Sequence, residues 1–121
     1  MKDKELVMKY HGTDLAYPED LPLEGDSFVA WKVVIDLLHK DGYSAEDTGG
    51  CKVFYSPKRW QERGEDYGTS SKLIIVHDGG AHEYYFNSYD YTQREKQMAA
   101  FGKTDLYVEQ CTGWYSAVYR A

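Results

Sequence analysis

The residues between 26 and 40 constrain the fold more than any other part of this 121-residue chain. At 100° per residue their apolar side chains cover one broad face of a helix and leave only a narrow polar strip. That face consists of Phe28, Ala30, Trp31, Val34, Ile35 and Leu38, widened by Val33 and Leu37. An apolar arc of this width predicts a deeply packed helix, capped by Asp26 or Ser27 and stopped by Gly42.

Short apolar runs separated by glycine-containing turns predict three β-hairpins. They pair residues 43–46 with 51–55, 72–77 with 82–87, and 105–111 with 114–120. Two-residue turns would place His77 opposite His82 and Asp105 opposite Arg120. In the last hairpin one face would carry Leu106, Val108, Tyr115, Ala117 and Tyr119.

A second helix is predicted before the last hairpin. It opens at Asp90 or Thr92, where capping residues occur, and ends near Phe101 and Gly102. Its apolar stripe is short and comprises Tyr91, Met98 and Phe101. A stripe this narrow predicts a helix on the surface.

These elements predict a single α+β domain over residues 26–121, preceded by an irregular N-terminal arm over residues 1–25. The arm contains one possible short strand at residues 5–10. The element order is (β)-α-β-β-β-β-α-β-β. We expect an antiparallel sheet built of hairpins, with two helices packed on it.

The composition of the chain limits the kinds of partner that it suits. The net charge is −6, and a net-acidic protein suits a basic protein partner better than nucleic acid. No apolar run approaches the roughly 20 residues of a membrane helix. The beginning of the chain has no apolar signal region, so we expect a cytoplasmic protein with Cys51 and Cys111 reduced.

Tyrosine is unusually frequent, with 12 Tyr against 4 Phe and 3 Trp. Tyrosine is enriched at protein interfaces, although it also suits the half-exposed faces of strands. The aromatic run that ends at residue 91 offers Tyr85, Tyr89, Asp90 and Tyr91 as candidate interaction residues. The alternative is a strand-to-helix corner filled by aromatic rings.

Two histidines form a candidate metal site. If His77 and His82 lie side by side across a hairpin, they can hold one Zn²⁺ together with a third ligand. Asp78, Glu83 or His11 would supply that ligand. The alternative is two histidines at the rim of the core, one with a satisfied hydrogen bond.

Residues 58–70 are predicted to form a long polar loop that offers a second candidate site. Its cations Lys58, Arg59 and Arg63, beside an exposed Trp60, could hold a phosphate and stack on a base. The alternative is an ordinary solvated loop with the indole folded onto the domain.

Catalysis has little support in the sequence. Neither cysteine has an evident base to activate it, and the nucleophile-elbow, phosphate-loop and dinucleotide motifs are absent. We therefore expect a non-enzymatic protein without a resident cofactor.

Two stretches, Lys72–Phe86 and Leu106–Tyr119, are similar in style to short accessory reading frames of bacterial phages and conjugative elements. This resemblance covers a fraction of the chain and carries no site residues. It implies a protein that acts by binding, for example as an inhibitor of a host defence nuclease.

The first functional hypothesis is therefore a protein-binding module that presents an acidic, tyrosine-rich surface to a basic partner. The second is a small-ligand binder, for a nucleotide or a metal, that uses the histidine pair or the Trp60 loop. An exposed strand edge or a tyrosine face would also permit a dimer.

Overall fold

The computed structural model describes residues 2–87 and 91–121 and shows an antiparallel sheet with helices packed on it. In chain order the elements are α1 (Asp3–Tyr10), α2 (Gly25–Lys40), a 3₁₀ turn (Ala45–Asp47), β1 (Phe54–Tyr55), α3 (Pro57–Glu62), β2 (Leu73–Val76), α4 (Glu83–Phe86), α5 (Tyr91–Phe101), β3 (Leu106–Gln110) and β4 (Tyr115–Arg120). The strand order is β1-β2-β4-β3, and every pairing is antiparallel. The α+β class is confirmed, although the predicted order of elements is wrong. None of the described helices is long and apolar enough to cross a bilayer.

Helix α2 forms where its apolar pattern predicts and buries the face that the pattern defines. Six of its side chains are at most 5% exposed: Phe28, Ala30, Trp31, Val34, Ile35 and Leu38. Gly42 follows the helix with φ +83°, as expected of a C-terminal stop. The caps predicted at Asp26 and Ser27 are wrong, because the helix already begins at Gly25. The carboxylate of Asp26 instead forms an ion pair with the guanidinium of Arg120, with the oxygen and nitrogen 2.7 Å apart.

The N-terminal segment contributes to the core instead of forming an irregular arm. Residues 5–10, predicted as a possible strand, lie in α1, and Tyr10 is buried. The indole N–H of Trp31 donates to the carbonyl of Leu15 at 2.9 Å, and Tyr17 packs edge-on against the same indole. A buried indole needs an acceptor for its N–H. The segment after α1 supplies that acceptor and is thereby held against α2.

Only the last of the three predicted hairpins is present. In place of the first, Ser44 and Asp47 cap the 3₁₀ turn with reciprocal hydrogen bonds, and β1 has only two residues. In the second, β2 forms as predicted, but residues 83–86 form helix α4 instead of a returning strand. His77 and His82 are therefore not cross-strand neighbours.

Strand β2 pairs with strands that are distant in the sequence. It lies between β1 and β4, with Ile75 opposite Phe54 on one side and Leu73 opposite Val118 on the other. All four of its residues are buried. A central strand needs a partner at each edge, and the local turn residues around it carry no information about which distant strands these are.

The β3–β4 hairpin forms, but its predicted register is wrong by one residue. Leu106 lies opposite Arg120 and Val108 opposite Val118. The amides of both Cys111 and Thr112 donate to the carbonyl of Tyr115, so the connection is wider than a two-residue turn. A one-residue shift moves side chains to the opposite face of a sheet.

The predicted sharing of one face is therefore wrong. Leu106, Val108 and Val118 pack in the core that contains α2. Tyr115, Ala117 and Tyr119 belong to a second cluster on the other side of the sheet.

Helix α5 is a surface helix, as predicted. Its apolar stripe is wrong, however, because Tyr91 is 74% exposed and Met98 is 59% exposed. Gln97 and Phe101 are its buried residues. The predicted cap Asp90 lies outside the described residues.

The loops before β1 and after β2 approach so closely that one glycine should be irreplaceable. Gly79 and Gly80 both have positive φ, at +91° and +81°. A Cβ on Gly80 would lie 2.4 Å from the carbonyl carbon of Thr48, whereas a Cβ on Gly79 would meet nothing within 4 Å. We expect Gly80→Ala to lower the free energy of unfolding by at least about 2 kcal/mol more than Gly79→Ala.

Urea denaturation of both glycine variants checks this prediction. Each variant carries the strain of alanine at positive φ, so their difference isolates the collision with the Thr48 backbone. Equal losses would mean that the two loops separate readily to admit a methyl group, and that their contact is not a fixed part of the fold.

Candidate binding surface

The second face of the sheet is covered by α3 and by the segment around Gly68. There, Trp60 from α3 packs against Ile74, Tyr115 and neighbouring side chains. The backbone at Gly68 crosses the same face, since a Cβ on this residue would lie 2.7 Å from Ile74 Cδ1 and 3.2 Å from Ala117 Cβ. Tyr107 and Glu109 of β3 nevertheless remain exposed.

Two tyrosines lie side by side on β3 and β4. Tyr107 of β3 lies directly opposite Tyr119 of β4, and their rings stack with centroids 5.8 Å apart. Tyr107 is 45% exposed, and Tyr67, in the segment that crosses the sheet, is 62% exposed. We call Tyr107 and Tyr119 the tyrosine face. Burial raises the pKa of the Tyr119 phenol, helped by Cys111 and Glu109, so this hydroxyl stays neutral and can donate.

Glu109 places a negative charge close enough to the tyrosine face to raise the pKa of Tyr119. Glu109 lies between the two β3 residues 108 and 110 and is exposed, and Glu65 and Asp66 immediately precede Tyr67. None of these three carboxylates forms an ion pair with any residue in the described parts of the chain. The face therefore combines exposed aromatic rings with unneutralised negative charge.

The outer edge of β3 has unpaired backbone groups. The amide of Ala121 donates to the carbonyl of Asp105, which therefore points toward β4. Because backbone groups alternate in direction along a strand, those of Val108 and Gln110 point away from β4. No hydrogen bond joins them to another described residue. The edge thus offers two amides and two carbonyls next to the tyrosine face.

The predicted interaction residues around α4 lie in different environments. Tyr85 is 1% exposed, so the expectation that it is displayed is wrong. Its hydroxyl donates to the carboxylate of Asp41, and this bond lowers the pKa of Asp41. Tyr91 is exposed, and Tyr89 and Asp90 lie outside the described residues.

The predicted polar loop begins as a helix. The hydroxyl of Ser56 accepts from the amide of Arg59 at 3.1 Å and caps α3. Trp60 is fully buried, so the expected exposed indole is wrong and the alternative, an indole folded onto the domain, is correct. Lys58, Arg59 and Arg63 are exposed, and the Arg63 guanidinium lies 4.6 Å from the Trp60 ring.

The two predicted metal ligands are buried side chains of the core. His77 Nε2 lies 2.9 Å from the hydroxyl of Ser116, and His82 Nε2 donates to the carbonyl of Val76 at 2.7 Å. Burial lowers the pKa of His77 to about 4, and the neighbouring His82 adds to this shift. Within residues 2–87 and 91–121, no three His, Cys, Asp or Glu side chains form a group that could hold a metal. The proposed Zn²⁺ site therefore lacks a third ligand there.

Both cysteines are free, as expected. Burial raises the pKa of the Cys51 thiol, and the nearby Asp14 and Asp78 raise it further. Burial and the nearby Glu109 likewise raise the pKa of the Cys111 thiol. Since the thiolate is the nucleophilic form, neither site is arranged to activate its cysteine.

Sequence reasoning missed the tyrosine face. The misassigned register placed Tyr119 with Leu106 and Val108 on one face and left Tyr107 without its partner. The alternation of aliphatic Leu106 and Val108 with Tyr107 and Glu109 was the signal available in the sequence. Comparison of the chain with protein-family models, curated proteins and solved structures gives no significant match.

Proposed function

We propose that this chain is a non-catalytic protein-binding module that takes up an extended, basic segment of a partner protein along the edge of β3. The observation that carries the proposal is the unpaired edge at Val108 and Gln110, directly beside the stacked Tyr107–Tyr119 pair. An exposed strand edge accepts a further strand through main-chain hydrogen bonds.

The two features of the surface have separate roles in this binding. The backbone groups of Val108 and Gln110 supply affinity that does not depend on the partner's sequence. Side chains of the added strand alternate between the two faces of the sheet, so every second one reaches the tyrosine face. There a Lys or Arg side chain would lie over the exposed ring of Tyr107 and close to the carboxylate of Glu109.

Charge favours a basic partner over a second copy of this chain. The net charge is −6, so two copies repel each other, whereas a segment rich in Lys and Arg is attracted. Nucleic-acid-handling proteins, whose phosphate-contacting segments are basic, form one class of partner with this chemistry.

Selection of a random peptide library on the immobilised full-length protein tests the proposal. We expect the enriched peptides to alternate basic and apolar residues. Val108→Pro should abolish their binding, because proline removes the outward amide without removing a hydrogen bond to β4. Tyr107→Ala should weaken binding about tenfold, since one desolvated cation–π and packing contact contributes that order of energy.

Tyr91→Ala is the matched control, because it removes an exposed tyrosine from α5 instead of from the sheet. This variant should bind the selected peptides as the unchanged protein does. Peptides that bind Val108→Pro undiminished would refute the β3 site. A dimer in sedimentation that dissociates in Val108→Pro would assign the edge to a second copy instead.

A further inference from the structure

A groove beside β1 offers a second surface, separate from the β3 edge. It has a volume of about 660 Å³ and lies between the segment that follows α1 and the β1–α3 region. Its lining includes His11, Pro18, Lys52, Tyr55, Arg59 and Arg63. Grooves of this size accommodate small organic ligands.

Two cations converge on one aromatic ring in this groove. Lys52 Nζ lies 4.9 Å and Arg63 Cζ 5.5 Å from the centroid of the Tyr55 ring. Neither cation forms an ion pair with a described residue. Two like charges held against one ring repel each other, so an anion placed between them would relieve that repulsion.

None of the three carboxylates that line the groove forms an ion pair with Lys52 or Arg63. Asp20 accepts a 2.5 Å hydrogen bond from the hydroxyl of Ser56, which fastens the two walls together. Glu62 pairs with Arg59 at 4.0 Å. The third, Glu19, is exposed. Among the described cations that line the groove, Lys52 and Arg63 are therefore the two without a carboxylate partner.

Beside Glu19 and Asp20, the segment that follows α1 lines the groove with the uncharged side chains of Ala16, Tyr17 and Pro18. Burial and the nearby Asp20 raise the pKa of Tyr17 to about 12, and its hydroxyl donates to the carbonyl of Pro22. Pro18 is buried beside it, and Ala16 is half-buried. A bare phosphate would fill a small part of this space, and the remaining wall suits a planar, mostly apolar group.

We propose that this groove binds a mononucleotide, with its phosphate held by Lys52 and Arg63 and its nucleoside lying against the wall of Ala16 and Pro18. An arginine and a lysine together match the two charges of a phosphate monoester, and the guanidinium can donate two parallel hydrogen bonds. The ligand chemistry is thus a phosphate monoester joined through a sugar to a planar base.

Isothermal titration of the full-length protein with adenosine monophosphate at low salt tests the site. Lys52→Gln and Arg63→Gln should each weaken binding at least about tenfold, because each removes one charge-assisted contact to the phosphate. Lys58→Gln is the matched control: it makes the same change of charge on α3, but Lys58 does not line the groove. It should leave the affinity within about twofold.

Separate titrations distinguish the parts of the ligand. Inorganic phosphate should compete with adenosine monophosphate, and adenosine alone should bind far more weakly. Because Arg63→Gln also removes packing on Trp60, amide shifts of Gly12, Thr13 and Ser56 in the unchanged protein provide a readout that needs no variant. Absence of binding at low salt would overturn the proposal. Equal weakening by Lys58→Gln and Lys52→Gln would also overturn it, because that result indicates unspecific electrostatic attraction. So would inorganic phosphate that binds as tightly as the nucleotide, because the nucleoside would then contribute nothing.

Discussion

Trp31→Ala should lower the free energy of unfolding by about 4 kcal/mol, the largest effect that we expect of any single substitution in this protein. The indole is fully buried at the junction of α1, α2 and the segment between them. Its ring contacts Tyr10, Tyr17 and Phe28, with centroid distances of 6.0, 5.4 and 5.7 Å. Truncation leaves a cavity that these rings cannot close without moving the backbone that carries them.

A second loss adds to the cavity. Trp31 Nε1 donates to the carbonyl of Leu15, and truncation leaves that buried acceptor without its partner. Trp31→Phe keeps most of the volume but also removes the donor, so it should cost about half as much as the alanine variant.

Urea denaturation of both Trp31 variants, monitored by circular dichroism, measures these losses. Met98→Ala serves as the control, because Met98 is a long apolar residue of α5 that is 59% exposed, and its change should stay within about 0.5 kcal/mol. If Trp31→Ala behaved like Met98→Ala, the indole would not organise the N-terminal segment as the structure shows.

Mild acid should destabilise the protein through its two buried histidines. The pKa of His77 falls from 6.5 to about 4, chiefly because burial disfavours the imidazolium, and burial also lowers the pKa of His82. Between pH 6.5 and about pH 4 His77 binds a proton in the unfolded chain but not in the folded one, so the free energy of unfolding falls as the pH decreases. The free energy of unfolding is therefore unaffected by these histidines above their pKa in the unfolded chain. It falls progressively as the pH decreases from that pKa to their pKa in the folded protein.

The size of the effect follows from the His77 shift. That shift corresponds to about 3 kcal/mol in full, of which about 2 kcal/mol is lost between about pH 7 and about pH 5. His82 adds a further loss of the same sign. The nearby Asp78 and Glu83 act in the opposite direction, but they rank below burial among the influences on these two histidines.

Free energies of unfolding from urea titrations at the two pH values measure this loss. His77→Gln should be less stable at neutral pH, because the hydrogen bond with Ser116 changes, but its stability should depend less on pH. His11→Gln removes an exposed histidine and should retain the full dependence on pH. A flat profile in the unchanged protein would mean that both imidazoles gain protons without opening the core.

The candidate surface was only partly accessible to sequence reasoning. The acidic charge and the excess of tyrosine pointed toward a protein-binding surface. The residues predicted to form that surface were the wrong ones, however. Tyr85 is buried, whereas Tyr107 and Tyr119 stack on the sheet. Similarly, the sequence predicts Arg63 as a phosphate contact beside an exposed indole. The structure instead groups Arg63 with Lys52 and Tyr55, which lie earlier in the chain, just before and within β1.

The sequence by itself determined α2, the face that it buries and its end at Gly42, because a helical apolar stripe depends only on residues within a few turns of each other. It also determined that α5 is a surface helix and that β3 and β4 form a hairpin. Only the tertiary structure decided the partners of β2, the burial of Trp60 and the one-residue register of β3 against β4. Each of these depends on groups distant in the chain, which meet because a central strand must have both edges paired and a buried ring must be packed on all sides.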